Sequence, residues 1–188
     1  LIRSAEALET LHRVQVVVFD KTGTLTVGKP VVTDVVAGLG ASEDELLALA
    51  AAAEQGSEHP LGEAIVAEAK ARGLALPPVS GLQAEPGEGG TARGPDALIR
   101  LGSRAFLESR GVSVTSLEAR GRVLAETGKS VVYVAFRGEA LGLIAVADVL
   151  KPEAAEVVAR LAARGVDVVM LTGENRLTAE AIAREASI

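Results

Sequence analysis

The apolar run from Val14 to Phe19, closed by Asp20 and followed by Lys21-Thr22-Gly23-Thr24-Leu25-Thr26, constrains this chain more than any other stretch. A run of Val and Phe residues predicts a buried strand, and Gly23 marks a turn just past its end. Asp20 is then the first carboxylate beyond the strand, at the carboxyl edge of a sheet. Ligands and chemistry collect at that edge in open α/β folds. The hydroxyls of Thr22, Thr24 and Thr26 and the flexible backbone of Gly23 suit a phosphoryl group there. A strand ending in a Thr-rich turn is the plainer alternative for an isolated Asp in this place.

A second α/β segment lies far along the chain. Pro152 is expected to begin a helix with Ala155, Val158, Ala159 and Ala162 on one face and Gly165 past its end. Asp167 to Leu171 then reads as a near-continuous apolar strand, followed by Thr172-Gly173-Glu174-Asn175 and a last helix. Together with the first strand this makes a βαβ-like unit split by a long insertion. The insertion has a different pattern. Val31 to Ala37 reads as a strand, and Ser42 with Glu45 forms a capping-box signature for a helix through Leu46, Leu49 and Ala53. Pro60 fits the first turn of another helix, with Leu61, Ile65 and Ala69 along one face. Short strands are expected around Leu82 and from Leu98 to Gly102, with Gly- and Pro-rich turns between them, and a short helix opens at Thr115 and Glu118. Val131 to Phe136 and Ala140 to Ala147 form a hairpin across Arg137-Gly138-Glu139. Ahead of everything, Leu8 and Leu11 suggest a helix over Ser4 to Leu11. The expected division is 1–30, 31–147 and 148–188, the outer two belonging to one domain.

Composition narrows the function classes. Apolar residues make up 48% of the chain, enough for a sizeable core, but with three Phe, one Tyr and no Trp that core must be aliphatic. A net charge of −6 argues against nucleic acid as a partner, since sequence-independent binding needs basic patches. No apolar stretch reaches the ~18–20 residues of a membrane span. With no Cys and only His12 and His59, a disulfide framework and a structural zinc site are both unexpected. The sole methionine is Met170, so the chain is expected to be a piece of a longer protein.

Asp20-Lys21-Thr22-Gly23-Thr24-Leu25-Thr26 matches, over seven consecutive residues, the phosphorylation motif of the P-type ATPases, and the chain resembles that family. Ser57-Glu58-His59-Pro60-Leu61 resembles the corresponding motif of the heavy-metal-transporting branch. Glu54 falls where that branch has a nucleotide-contacting glutamate, Gly87-Glu88-Gly89 resembles its Gly-x-Gly loop, and Gly102 its next glycine. Two departures stand out: Gly90 occupies a place usually held by Val, and extra residues around Gly94-Pro95 precede Gly102. Met170-Leu171-Thr172-Gly173-Glu174-Asn175 resembles the family's Leu-Thr-Gly-Asp-Asn segment, with Glu174 in place of the Asp. Asp148-Val149-Leu150-Lys151-Pro152 is similar to the segment joining the two domains, and reads as hinge more than chemistry.

The resemblance implies an α/β fold. A split, truncated haloacid-dehalogenase-like, Rossmann-like phosphorylation domain would carry an inserted α+β nucleotide-binding domain of antiparallel sheet and helices. It implies ATP bound by Glu54, His59, Gly87, Gly89 and Gly102, and phosphoryl transfer to Asp20 as the catalytic nucleophile. Lys21, Thr22, Thr172 and Gly173 would contact the phosphate, and Mg²⁺ would be held by Asp20 and the Thr22 carbonyl. That metal site is expected to be incomplete, because the family's phosphate-contacting lysine and Gly-Asp-Gly-x-Asn-Asp motif come later than Ile188. The implied partners are the nucleotide and the actuator and transmembrane domains of a parent pump, with this soluble piece at the cytosolic face of the membrane. Exposed edges of the truncated half would also invite self-association. Gly28-Lys29-Pro30, the Ser-Glu-His-Pro-Leu motif and Asn175-Arg176 look more like the copper branch than the zinc or cadmium branch. Two other readings stand beside this one: a soluble haloacid-dehalogenase-like phosphatase, and a nucleotide-binding module without catalysis. The phosphatase would place a second Asp two residues after the nucleophile as general acid, where this chain has Thr22.

Overall fold

The structure, a computed structural model, describes residues 13–188 apart from Leu39, Glu58 and Pro86, so the helix expected over Ser4 to Leu11 lies outside the described residues. Strand β1 (Val16–Asp20) leads into a tight loop, and β2 (Val31–Ala37) begins the insertion. Helices α1 (Glu43–Ala53) and α2 (Pro60–Ala71) follow, then strands β3 (Ser80–Glu85), β4 (Gly89–Arg93) and β5 (Leu98–Gly102). Next come α3 (Arg104–Ser109), α4 (Thr115–Glu126) and the hairpin β6 (Ser130–Phe136) and β7 (Glu139–Ala147). The chain closes with α5 (Ala154–Ala162), β8 (Asp167–Leu171) and α6 (Arg176–Glu185).

Strands β2 to β7 form one antiparallel sheet in the order β2-β7-β6-β5-β4-β3. Alternation along the strands sorts its side chains onto two faces. Val132, Val134, Ile144 and Val146 pack with Leu46, Leu47, Ala50 and Ile65 of α1 and α2. Tyr133, Ala135, Leu143 and Ala145 pack with Phe106, Leu107, Leu117 and Leu124 of α3 and α4. The sheet is therefore covered on both sides, which is why β6 and β7 read as continuous apolar runs. Their two-residue turn has positive φ at both Arg137 (55°) and Gly138 (82°), the backbone of a type I′ hairpin.

Local chemistry explains the helix starts. The Ser42 hydroxyl accepts from the Glu45 amide at 3.1 Å, and Glu43, Asp44 and Glu45 place negative charge at the positive end of α1. Three elements differ from expectation. Strand β4 occupies part of what reads as a Gly-rich turn; Gly89 and Gly90 weaken its intrinsic propensity, but pairing on both edges and burial of Ala92 decide the matter. Helix α4 is 12 residues long and its N-cap is Val114, not Thr115, with no side-chain cap bond. Helix α3, unmarked by any long periodicity, is started by Ser103, whose hydroxyl accepts from the Phe106 amide at 3.1 Å.

Strands β1 and β8 pair in parallel, Val16 opposite Asp167 through to Asp20 opposite Leu171, in a separate two-stranded sheet. This is the split βαβ arrangement, with α5 packed through Ala154 and Val158. The burial expected of these strands is only half realised. Val16, Val18, Val169 and Leu171 are 46–62% exposed, because a period-2 strand turns them away from the one helix-covered face. The buried stripe of α5 is likewise Ala154 and Val158, flanked by half-buried Leu161, with Ala159 and Ala162 exposed.

Candidate active site

Asp20 is the last residue of β1 and is exposed, and its register partner is Leu171. Thr172 and Gly173 therefore leave the neighbouring parallel strand beside the loop that starts at Lys21. That loop is wound tightly, with Gly23 at φ +75°, and buried Thr26 pins it. The Thr26 hydroxyl donates to Asp148 Oδ2 at 2.5 Å and accepts from the Gly23 amide at 3.2 Å. Asp148 Oδ1 accepts from the amides of Gly28 (3.0 Å) and Lys29 (3.2 Å), and Lys151 Nζ donates to the Gly23 carbonyl at 2.9 Å. A bridge between Thr26 and Leu150 completes the joint. Asp148 and Lys151 thus shape the Asp20 loop directly. Their signal in the sequence is a charged pair at the foot of the apolar β7 run, which hinge geometry alone does not require.

Lys21 is buried beside the exposed Asp20, and its ammonium pairs with Glu174 Oε1 at 3.0 Å. Glu174 also accepts from the Ser130 hydroxyl, at 2.7 and 2.8 Å to its two oxygens. Glu174 is visible in the sequence only as the residue that replaces the motif's Asp, and Ser130, 44 residues away in the chain, does not stand out at all. Thr172 Oγ1 accepts from the Glu174 amide at 3.1 Å, which leaves the hydroxyl proton free to donate elsewhere. Gly173 is exposed with open space where a side chain would stand. Asn175 caps α6 by accepting from the Thr178 amide at 3.1 Å. Asp20, Thr22, Thr172 and Gly173 thus share one sheet edge, while the side chain of Lys21 is turned to Glu174.

The five residues expected to bind nucleotide fall into two groups. Glu54 is the C-cap of α1, and its carboxylate lies against the start of α2 in the space that a Cβ on Gly62 would fill. It lines a groove of about 270 Å³ with Gly56, Ser57, Glu63 and Lys70. His59 is the N-cap of α2, Nδ1 accepting from the Leu61 amide at 3.2 Å, and the residue is exposed. Gly87 sits in the β3–β4 turn at φ +78° with open space around it. Gly89 and Gly102 are register partners across β4 and β5. A Cβ on Gly89 would meet Phe106 Cδ1 at 2.7 Å, and one on Gly102 the Gly89 Cα at 2.7 Å. These two glycines are therefore demanded by strand and aromatic packing as well as by any ligand. Among the described residues no hydrogen bond or ion pair joins the glycine group to Glu54 and His59.

No cluster of three His, Asp, Glu or Cys side chains able to hold a metal occurs among the described residues. The exposed Asp20 carboxylate and the Thr22 carbonyl fit Mg²⁺ in the manner this ion favours, with one or two protein oxygens and the remaining ligands from water and phosphate. No helix among the described residues is long and apolar enough to cross a membrane.

A family of haloacid dehalogenase-like hydrolases matches residues 14–188. A copper-exporting P-type ATPase of Bacillus subtilis (strain 168) is 47% identical over 188 residues, which are 100% of this chain and 23% of that protein. The chain thus spans about a quarter of the length of such relatives. A crystal structure of a zinc-transporting PIB-type ATPase in its E2.Pi state superposes with a TM-score of 0.72 at 41% identity, covering 100% of this chain and 30% of that one. The N-domain of a copper-transporting P-type ATPase matches at 36% identity and a TM-score of 0.55, covering 62% of this chain and 99% of that one. The chain belongs to the haloacid dehalogenase-like hydrolases and, within them, to the P-type ATPases.

Proposed function

We propose that this chain is the ATP-binding and phosphoryl-accepting part of a pump that moves a heavy-metal cation, Cu⁺, across a membrane. Residues 31–147 form its nucleotide-binding domain, and 1–30 with 148–188 belong to its phosphorylation domain. One observation carries the reading: the Asp20 carboxylate stands exposed at the end of β1, beside the Thr172-Gly173 turn of the parallel strand β8. An ionised carboxylate so placed attacks the γ-phosphorus of ATP. A bond forms from an Asp20 oxygen to phosphorus, and the bond to the β,γ-bridging oxygen breaks, releasing ADP. The Thr172 hydroxyl and Gly173 amide donate to phosphoryl oxygens as charge develops there. Asp20 and the Thr22 carbonyl are the residues that would hold Mg²⁺, which when bound neutralises phosphate charge. Thr22 cannot act as a general acid in the way a phosphatase needs, so a lasting acyl phosphate is favoured over hydrolysis.

ATP docks on the insertion through Glu54, His59, Gly87, Gly89 and Gly102. The actuator and membrane-spanning parts of the pump are partners of the same polypeptide, and the domains described here face the cytosol. The open edges of the β1–β8 pair invite self-association of this piece, which sedimentation tests. The copper assignment leans on the copper-exporting relative; the zinc-transporting structure supports a zinc branch as the second reading. Metal-stimulated ATP hydrolysis by the whole pump separates Cu⁺ from Zn²⁺. The central test is incubation of the whole pump with γ-labelled ATP and Mg²⁺. Hydroxylamine-labile label is expected at Asp20 and absent from Asp20→Asn; label that persists in that variant overturns the reading.

A further inference from the structure

One carboxylate gathers three distant segments. Glu174 follows β8, Lys21 follows β1, and Ser130 is the first residue of β6 in the insertion. Lys21 and Glu174 have side chains only 7% and 18% exposed, so their charges depend on each other and on Ser130 for compensation. The same contact continues away from Asp20. The fully buried Thr178 hydroxyl of α6 donates to the Lys129 carbonyl at 3.2 Å. Gly128, at φ +78°, lies against Ile182, where a Cβ would come within 3.2 Å of Cγ1. Gly128-Lys129-Ser130 is therefore the turn through which the insertion rests on α6, and Ser130 is its end nearest the Asp20 loop.

We infer that Glu174 is a positioning residue: it parks the Lys21 ammonium in a bridge shared with Ser130. Opening of this seam couples movement of the insertion to delivery of Lys21 at Asp20. The inference rests on the reading of Asp20 as phosphoryl acceptor. Ser130 reaches both carboxylate oxygens and Lys21 reaches one, so Ser130 fixes the orientation of the carboxylate, and withdrawing it frees the Glu174 side chain to turn away from the place where it holds the lysine. A phosphoryl group on Asp20 is a competing anion for the same ammonium. The linkage is reciprocal: whatever draws Lys21 toward phosphate weakens the seam, and whatever lifts the insertion frees Lys21.

The test uses this chain and its Ser130→Ala, Ser130→Thr and Glu174→Gln variants. Each is pulsed with acetic anhydride, and lysine acetylation is read by mass spectrometry. Lys70, exposed on α2, is the internal reference. Lys21 is expected to be acetylated roughly five- to tenfold faster in Ser130→Ala and Glu174→Gln, the scale of a lost charge-assisted contact, with Lys70 unchanged. Ser130→Thr, which keeps the hydroxyl, restores protection. Spin labels on Glu139→Cys and Arg160→Cys, in a chain that has no cysteine of its own, report the seam as a distance distribution. It broadens in Ser130→Ala and narrows again in Ser130→Thr. Native protection of Lys21 in both Ser130→Ala and Glu174→Gln overturns the bridge. Should Ser130→Ala fail to fold, the isosteric Glu174→Gln decides alone. Release of Lys21 in a protein whose Asp20 takes no label overturns the acceptor reading and keeps the bridge. Labelled Asp20 with protected Lys21 does the reverse.

Discussion

Strands β7 and β1 are both apolar runs that lead into an Asp, Asp148 just past the one and Asp20 closing the other, yet they meet opposite fates. In β7, Leu143 to Val146 are wholly buried, because helices cover both faces of a six-stranded sheet. In β1, Val16 and Val18 are 49% and 58% exposed, because the two-stranded sheet is covered on one side. An apolar run reports that a strand is suited to double burial; what covers it is decided by other segments. The insertion supplies its own two helical layers and so holds a closed core.

This contrast sets the largest expected effect. Ile144→Ala removes a fully buried side chain between strands and α1, and should cost about 2–5 kcal/mol. Val18→Ala, on the open face, should change stability by less than about 0.5 kcal/mol. Urea unfolding followed by the fluorescence of Tyr133, the single tyrosine in a chain without tryptophan, reads the first directly. Hydrogen exchange at β1 amides reads the second. Equal losses at the two positions would mean that the β1 face is covered in solution.

The same contrast marks how far the sequence could be read. The hairpin, the capped helix α1 and the split βαβ unit were legible because periodicity, a Ser42–Glu45 cap and a Gly turn are local signals. Strand β4 was not, since its glycines speak against a strand and only pairing with β3 and β5 overrides them. At the Asp20 edge the motif residues were legible as a string. Their support was not: Asp148 and Lys151 reach the loop across about 120 residues, and Ser130 reaches Glu174 across 44. Such contacts carry no local periodicity. His59 shows both layers at once: the structure makes it the N-cap of α2, and its exposure suits it to the proposed nucleotide contact.

The next prediction divides those two roles and also divides the insertion from the Asp20 edge. Glu54→Ala should weaken ATP binding by about 1–3 kcal/mol, the scale of a lost charge-assisted contact. His59→Ala would also remove a helix cap, so His59→Asn is the sharper variant: Asn keeps a cap acceptor and removes the imidazole. It is expected to match the native chain in thermal stability while losing ATP affinity on the same scale. Asp20→Asn should leave affinity nearly unchanged, since the proposed contacts Glu54, His59, Gly87, Gly89 and Gly102 lie within residues 31–147. Titration calorimetry decides it. Native affinity in His59→Asn would leave His59 as a cap alone.

The smallest effect concerns the exposed counterpart of the Lys21–Glu174 bridge. Lys129, next to Ser130, donates to Asp34 of β2 at 2.7 Å, with both side chains about one-quarter exposed or slightly more (26% and 30%). The hydrogen bond from Lys129 holds the Asp34 carboxyl below its ordinary value of 3.8; burial opposes this, and the Thr33 hydroxyl assists. A carboxyl whose folded pKa is depressed adds stability above its unfolded pKa and loses it as pH falls through the folded one. Asp34→Asn should therefore cost less than about 1 kcal/mol at neutral pH, discounted for solvent screening. The native and variant curves should begin to converge once pH drops below 3.8, with added salt shrinking the gap at neutral pH. The buried Lys21–Glu174 bridge gives a weaker salt response, since water and ions reach it less. Urea midpoints measured from neutral pH downward, at low and high salt, compare the two pairs. A gap for Asp34→Asn that survives at pH well below 3.8 would show that the side chain acts through packing in β2 rather than through its charge.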